Sequence, residues 1–355
     1  MDLPGRLERV QRAIELGGYD SPSQFVNVAI ENQIELELDG VSHRELKTIN
    51  EEISKDRNKS DETATSSIEA QQSSTEVKED ILALRECTSV ATVAPPDTDR
   101  LDSGPLWGQY NRIFPVKIML RVLVNDIHQR ANNKDGRNDS LQWLSLGKFS
   151  EQVADIAREF GLQIQDEDQK NSRGQGEKLS SALPIGDDPQ KSKQRFQTHF
   201  IGRAEQGGDL TGAAPHLLFV NMPTDSRGKI GITQAGLEFA QKWNPLIDGD
   251  VSSNHSLSEE EVSFYIEHVA NRRSAEFDAM RFVAKAIRNG NDRPDSLTER
   301  VASINNDWSD SQAQTVRSGL VSRMFELGLV QRGRIGQRGV VYDMTEDAEE
   351  ELNAL

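Results

Sequence analysis

A chain of 355 residues has room for two or three domains, each with its own core. Its 58 acidic residues outweigh 41 basic ones, 14 Lys and 27 Arg, and the formal charge of -17 excludes DNA binding over the whole surface, confining such contact to local basic islands. The single cysteine, Cys87, excludes intramolecular disulfides and Cys-based zinc sites, and no stretch approaches the ~18 consecutive apolar residues of a membrane span.

The opening MDLPGRLERV lacks the apolar core of a secretory signal, so a cytoplasmic protein is expected. The acidic, Lys-poor composition reads as a halophilic surface, with an ordinary acidic protein as the alternative.

In chain order, residues 1–38 are predicted to form a helical hairpin. Leu7, Val10, Ala13 and Ile14 recur at helical spacing before Gly17-Gly18, and Phe25, Val28, Ile30 and Ile34 line a second helix. GGYDSPSQFVNVAIENQIELE resembles the helical half of ribbon-helix-helix proteins. Only Met1 and Asp2 precede Leu3-Pro4, so a counterpart of that family's DNA-reading strand is not expected, and the resemblance implies a dimerisation unit and a homodimer. Residues 39–104 are rich in Ser, Thr, Glu and Asp and are expected to be a flexible polar linker.

Residues 105–247 form the first predicted domain. One helix carries Val116, Met119, Leu120, Leu123 and Ile127; a second buries Phe149, Val153, Ile156 and Phe160. After a long polar stretch, a basic helix from about Gln190 is expected to lead into strand 217–220, the turn PTDSRG, strand 229–232, and Thr233 opening a helix to Trp243. The stretch 190–204 has four basic residues and no acid, so Lys191, Lys193, Gln194, Arg195 and Thr198 are candidate DNA contacts.

Residues 248–258 read as a linker. Asp248, Asp250, Ser252, Asn254 and Glu259 have calcium-loop spacing, but Ser253 replaces the sharp-turn Gly, so a polar linker and a helix cap at Ser256 and Glu259 are the preferred account and no metal is expected.

Residues 259–355 repeat the earlier order. Helices carry Val262, Ile266 and Val269, then Phe277, Met280, Val283 and Ile287, then Leu297 and Val301. Ser309 and Gln312 have capping-box spacing before a helix ending at Leu327, with strands 329–332 and 340–342 and a helix opened by Thr345. Ala313, Val316, Leu320, Met324 and Leu327 mark the core side of the capped helix. Ser311, Gln314, Thr315, Arg317 and Ser318 are expected on the other side, as base-reading donors and acceptors. Arg332, Arg334 and Arg338, spaced by glycines in QRGRIGQRG, are expected to reach phosphates or a narrow minor groove.

The motifs RSGLVSRMFELGLVQR and VVYDMTEDAEEEL resemble the winged helix-turn-helix superfamily. The resemblance implies tandem winged domains in a mainly α fold with small β-hairpin wings. It also implies site-specific binding of double-stranded DNA in transcription regulation. A replication-initiation or partition protein and a non-catalytic interaction adaptor are the alternatives, since fold alone does not fix function. Gly174-Gln175-Gly176 follows no predicted strand, neither GDDPQKS nor SRGKIGIT matches a P-loop, and the six His residues form no HExxH pair. No enzymatic activity and no cofactor are expected.

Overall fold

A computed structural model describes residues 82, 90–98, 101, 104–132, 142–205, 209–223, 228–335, 339–346, 348 and 352. The predicted hairpin at 1–38 and most of the stretch 39–104 lie outside the described residues. The chain divides into two units, residues 1–63 with 334–340 and residues 64–333 with 341–355. The second unit is described below.

It is mainly helical with small antiparallel sheets. The first half runs α1 (Phe114–Asn132), β1 (Leu144–Ser145), α2 (Leu146–Lys170), α3 (Pro189–Phe196) continued by a π-helical turn at Gln197–Ile201, β2 (Arg203–Ala204), β3 (Leu210–Thr211), α4 (Ala213–His216), β4 (Val220–Asn221), β5 (Lys229–Ile232) and α5 (Gln234–Gln241). The second half runs α6 (Glu259–Arg272), α7 (Ser274–Arg288), α8 (Pro294–Ala302), α9 (Asp310–Glu326), β6 (Val330–Ile335) and β7 (Gly339–Met344).

Local chemistry accounts for several boundaries. Pro189 starts α3 behind Asp188, whose carboxylate accepts from the Gln190 and Lys191 amides. Ser309 and Gln312 close the expected capping box on α9. The box on α6 is Ser258 with Glu261, not Ser256 with Glu259. Two expectations for the first half are corrected. The basic helix does not lead directly into the strand, because the β2–β3 hairpin and α4 intervene, and of 217–220 only Val220 is strand, in β4.

One hydrogen-bonded frame nevertheless occurs in both halves. Each has a left-handed residue ahead of its first hairpin strand, Leu218 at φ 59° and Gly328 at φ 73°. A Thr closes back on that residue from 15 and 17 residues further along: Thr233 Oγ1 donates to the Leu218 carbonyl and Thr345 Oγ1 to that of Gly328, both at 2.7 Å. The same threonines donate their amides to Phe219 and Leu329. In the first half β1, just before α2, pairs with β5 through Leu144 and Ile230, giving the strand order β1-β5-β4. In the second half Asp292, just before α8, accepts from the Tyr342 amide on β7.

The halves share a core. The Phe239 ring stacks on Phe219 and on Phe264 of α6 at 5.2 and 5.7 Å, and a ring nitrogen of His268 lies 2.7 Å from the Leu217 carbonyl. The expected linker at 248–258 is instead packed against both halves: Asp248 forms a two-pronged pair with Arg121 of α1, and Ser256 and Leu257 are buried. Lys117 of α1, fully buried, pairs with Glu261 of α6 at 2.7 Å and donates to the Phe239 and Lys242 carbonyls. Burial pushes Lys117 down to about 8 and raises Glu261, while their mutual attraction opposes both shifts. Part of the predicted polar linker is also docked: the Val93 amide donates to Ile232, and the buried Leu82 offers its carbonyl to Arg121.

Lys117→Ala is expected to cost about 3–5 kcal/mol, because it leaves Glu261 buried without its cation. Lys117→Met combined with Glu261→Gln is expected to recover most of that loss, since Gln keeps the cap. Urea denaturation checks both, and a double variant no more stable than the single one would contradict the role given to the pair.

Candidate nucleic-acid interface

Helix α9 carries five of the thirteen sequence-predicted contacts, and it is enclosed on more sides than its polarity implies. The expected core stripe is buried at all five positions, Ala313, Val316, Leu320, Met324 and Leu327. A second face is covered by the chain at 104–113. Gly108 lies so close that a Cβ there would sit 2.0 Å from the Thr315 carbonyl oxygen, and a Cβ on Gly319 would meet the Gly108 Cα at 2.5 Å. Only a pair of glycines permits this crossing of backbones. Arg323, 1 % exposed, fixes it by pairing with Glu276 of α7 and donating to the Tyr110 and Leu106 carbonyls. At the end of α9, Glu326 accepts the Ile113 and Phe114 amides and so caps α1.

The predicted readers therefore separate. Ser311 is exposed, Gln314 and Ser318 are half-buried, and these three share a stripe of α9. Thr315 is half-buried, with its hydroxyl donating back to the Ser311 carbonyl and its backbone under Gly108. Arg317 is a correction. It is 7 % exposed, and its guanidinium donates to Thr298 Oγ1 on α8 and the Tyr342 hydroxyl on β7. The signal for this was present in the sequence: Arg317 stands four residues after Ala313, on the same helical face as the core stripe.

Arg332 also departs from a free wing position. It is half-buried, its guanidinium lies 5.4 Å from the centre of the Phe325 ring, and a Cβ on Gly176 would collide with it at 1.4 Å. Arg334 belongs to β6, and Arg338 lies outside the described residues.

In the first half, Gln194 and Arg195 of α3 are exposed, while Lys191, Lys193 and Thr198 are half-buried. Lys193 pairs with Asp155 of α2. Phe196 and Phe200 are buried as expected. His199, in the π-helical turn beside these residues, is half-buried: burial and then the Arg195 charge push its pKa down to about 4, so the ring adds no positive charge near neutral pH. Among the described residues, no group of three or more His, Cys, Asp or Glu side chains is gathered as a metal ion would require, and no helix is long and apolar enough to cross a membrane.

Arg317→Ala is expected to lower stability by about 1–3 kcal/mol, since it takes the buried guanidinium away from the Tyr342 hydroxyl and leaves Thr298 only its bond to the Pro294 carbonyl. Ser311→Ala and Gln314→Ala should each stay within about 0.5 kcal/mol of the parent. Thermal unfolding separates the two classes, and a neutral Arg317→Ala would return that residue to the surface set.

The His199 shift predicts a pH dependence. Its folded value lies below the usual 6.5, so the unfolded chain takes up the proton first and stability falls as pH drops from about 6.5 towards 4, by on the order of 3 kcal/mol. His199→Gln should lack this contribution, measured as the difference between the two proteins in urea denaturation at each pH. Equal acid sensitivity would remove it.

No protein-family model, curated protein or solved structure matches this chain.

Proposed function

We propose that the protein is a site-specific DNA-binding regulator of transcription built on tandem winged helix-turn-helix domains. The observation that carries this reading is the repeated frame. In each half the segment just before a helix is bonded to the returning hairpin strand, β1 to β5 ahead of α2 and Asp292 to Tyr342 by one hydrogen bond ahead of α8, and a Thr ties that strand's end to the left-handed residue ahead of the hairpin. A helical run that ends in a β-hairpin in both halves, and the pairing order β1-β5-β4 in the first half, support this reading, although β2–β3 and α4 intervene before the first hairpin and four helices precede the second. Recognition then falls to the stripe Ser311, Gln314 and Ser318 of α9, with Gln314 suited to paired hydrogen bonds with adenine. Arg334 and Arg338 serve the backbone from the wing. In the first half Gln194 and Arg195 are the exposed pair, with Lys191 and Thr198 beside them.

A second reading has its own observation. The enclosure of α9 by residues 104–113, together with the internal engagement of Arg317 and Arg332, leaves a narrow reading surface and favours a non-catalytic adaptor that uses the same fold as a scaffold. Iterated chromosomal sites would instead favour a replication or partition role.

Genome-wide occupancy of the tagged protein at native intracellular salt tests these readings, beside a variant carrying Gln314→Ala, Ser318→Ala, Arg334→Ala and Arg338→Ala. Discrete peaks that disappear in the variant are expected. Peaks unchanged by the substitutions would move the reading surface elsewhere, and absence of peaks for both proteins would favour the adaptor.

A further inference from the structure

Between the two halves lies a cavity of about 210 Å³ that the DNA reading does not use, lined by Arg112, Lys178, Leu179, Phe325, Glu326 and Val330. Its volume equals the share of roughly seven water molecules in the liquid, which limits an occupant to a small molecule. Its chemistry has two parts. Phe325, Leu179 and Val330 supply apolar walls, while on the polar side, which also includes Asn254, His255 and Ser256, Arg112 and Lys178 place two cations against one carboxylate, in a protein whose formal charge is -17.

That carboxylate is already engaged. Glu326 accepts from Ile113, Phe114 and Ser256 and is bonded to neither cation. Arg112 donates to the Ser322 and Gly176 carbonyls, which leaves other donors of its guanidinium available. Lys178 is half-buried, and its ammonium makes no hydrogen bond or ion pair among the described residues. The Phe325 ring has the guanidiniums of both Arg112 and Arg332 near it, 5.7 and 5.4 Å from its centre, so a third positive charge adjoins one wall of the cavity. A half-buried site with unbalanced positive charge and an aromatic wall complements an anion on an apolar body.

We infer that this cavity binds a small organic monocarboxylate, with the carboxylate on Lys178 and Arg112 and the apolar body against Phe325, Leu179 and Val330. The cavity borders Gly328 and Val330, where α9 turns into the hairpin, and Arg332 of β6 shares the Phe325 ring. Occupancy therefore bears on the root of the hairpin; that this alters DNA affinity rests on the function proposed above, whereas binding itself does not.

The test uses the full chain without DNA. Saturation-transfer NMR is recorded with benzoate and hexanoate, and with benzylamine and hexylamine as cationic counterparts of the same shape. Binding of at least one carboxylate in the millimolar range and of neither amine is expected. Lys178→Gln should weaken it by about tenfold and Lys178→Glu by more, the former being 1.4 kcal/mol. Circular dichroism verifies that both variants fold. Equal binding of amines and carboxylates, carboxylate binding unchanged in Lys178→Glu, or no binding of either carboxylate at millimolar concentration would each overturn the assignment. None of these outcomes depends on whether the protein binds DNA.

Discussion

A charged side chain withdrawn from water loses far more than a single contact returns unless an opposite charge and further hydrogen bonds replace the solvent. Three such pairs, Lys117 with Glu261, Arg121 with Asp248 and Arg323 with Glu276, run through the middle of this protein. Each joins segments distant in sequence. Lys117 and Glu261 join α1 to α6 directly, Arg121 and Asp248 fix the segment between the halves on α1, and Arg323, paired within the second half, reaches across to the Leu106 and Tyr110 carbonyls. The aromatic cluster of Phe219, Phe239, Phe264 and His268 adds apolar burial to the same joint without adding direction.

The constraint reaches the candidate interface through the segment 104–113. Arg323 on α9 holds that segment by its carbonyls, Glu326 on the same helix caps α1, and the Gly108–Gly319 crossing fills the remaining space. A helix whose polarity reads as a free recognition surface thus also serves as a structural post. Of the predicted readers on this helix, Ser311 is exposed, and Gln314 and Ser318 are half-buried on the same stripe.

Features governed by neighbours along the chain were legible. The Ser309–Gln312 box, the core stripe of α9, Thr233 as a helix opener and strand 229–232 follow from spacing and side-chain chemistry, and the structure has them where the sequence puts them. Features governed by distant partners were not. Nothing in the residues around 315 announces that Gly108 will lie against them. The packing of 248–258 likewise depends on Arg121, far earlier in the chain. Arg317 was misread because polar character was weighted over helical position, although it shares a face with Ala313. The β2–β3 hairpin and α4 were hidden in a stretch too short and irregular for periodicity to register.

The buried pairs also bear on how the molecule can be taken apart. Cutting within 248–258 would separate Lys117 from Glu261, and a fragment beginning at α6 would lack the Leu106 and Tyr110 carbonyls that Arg323 requires. Neither piece would carry the counter-charges its interior was built around. Dissection into single domains, the usual route for a modular chain, would here report on two damaged proteins rather than on the separate properties of two modules.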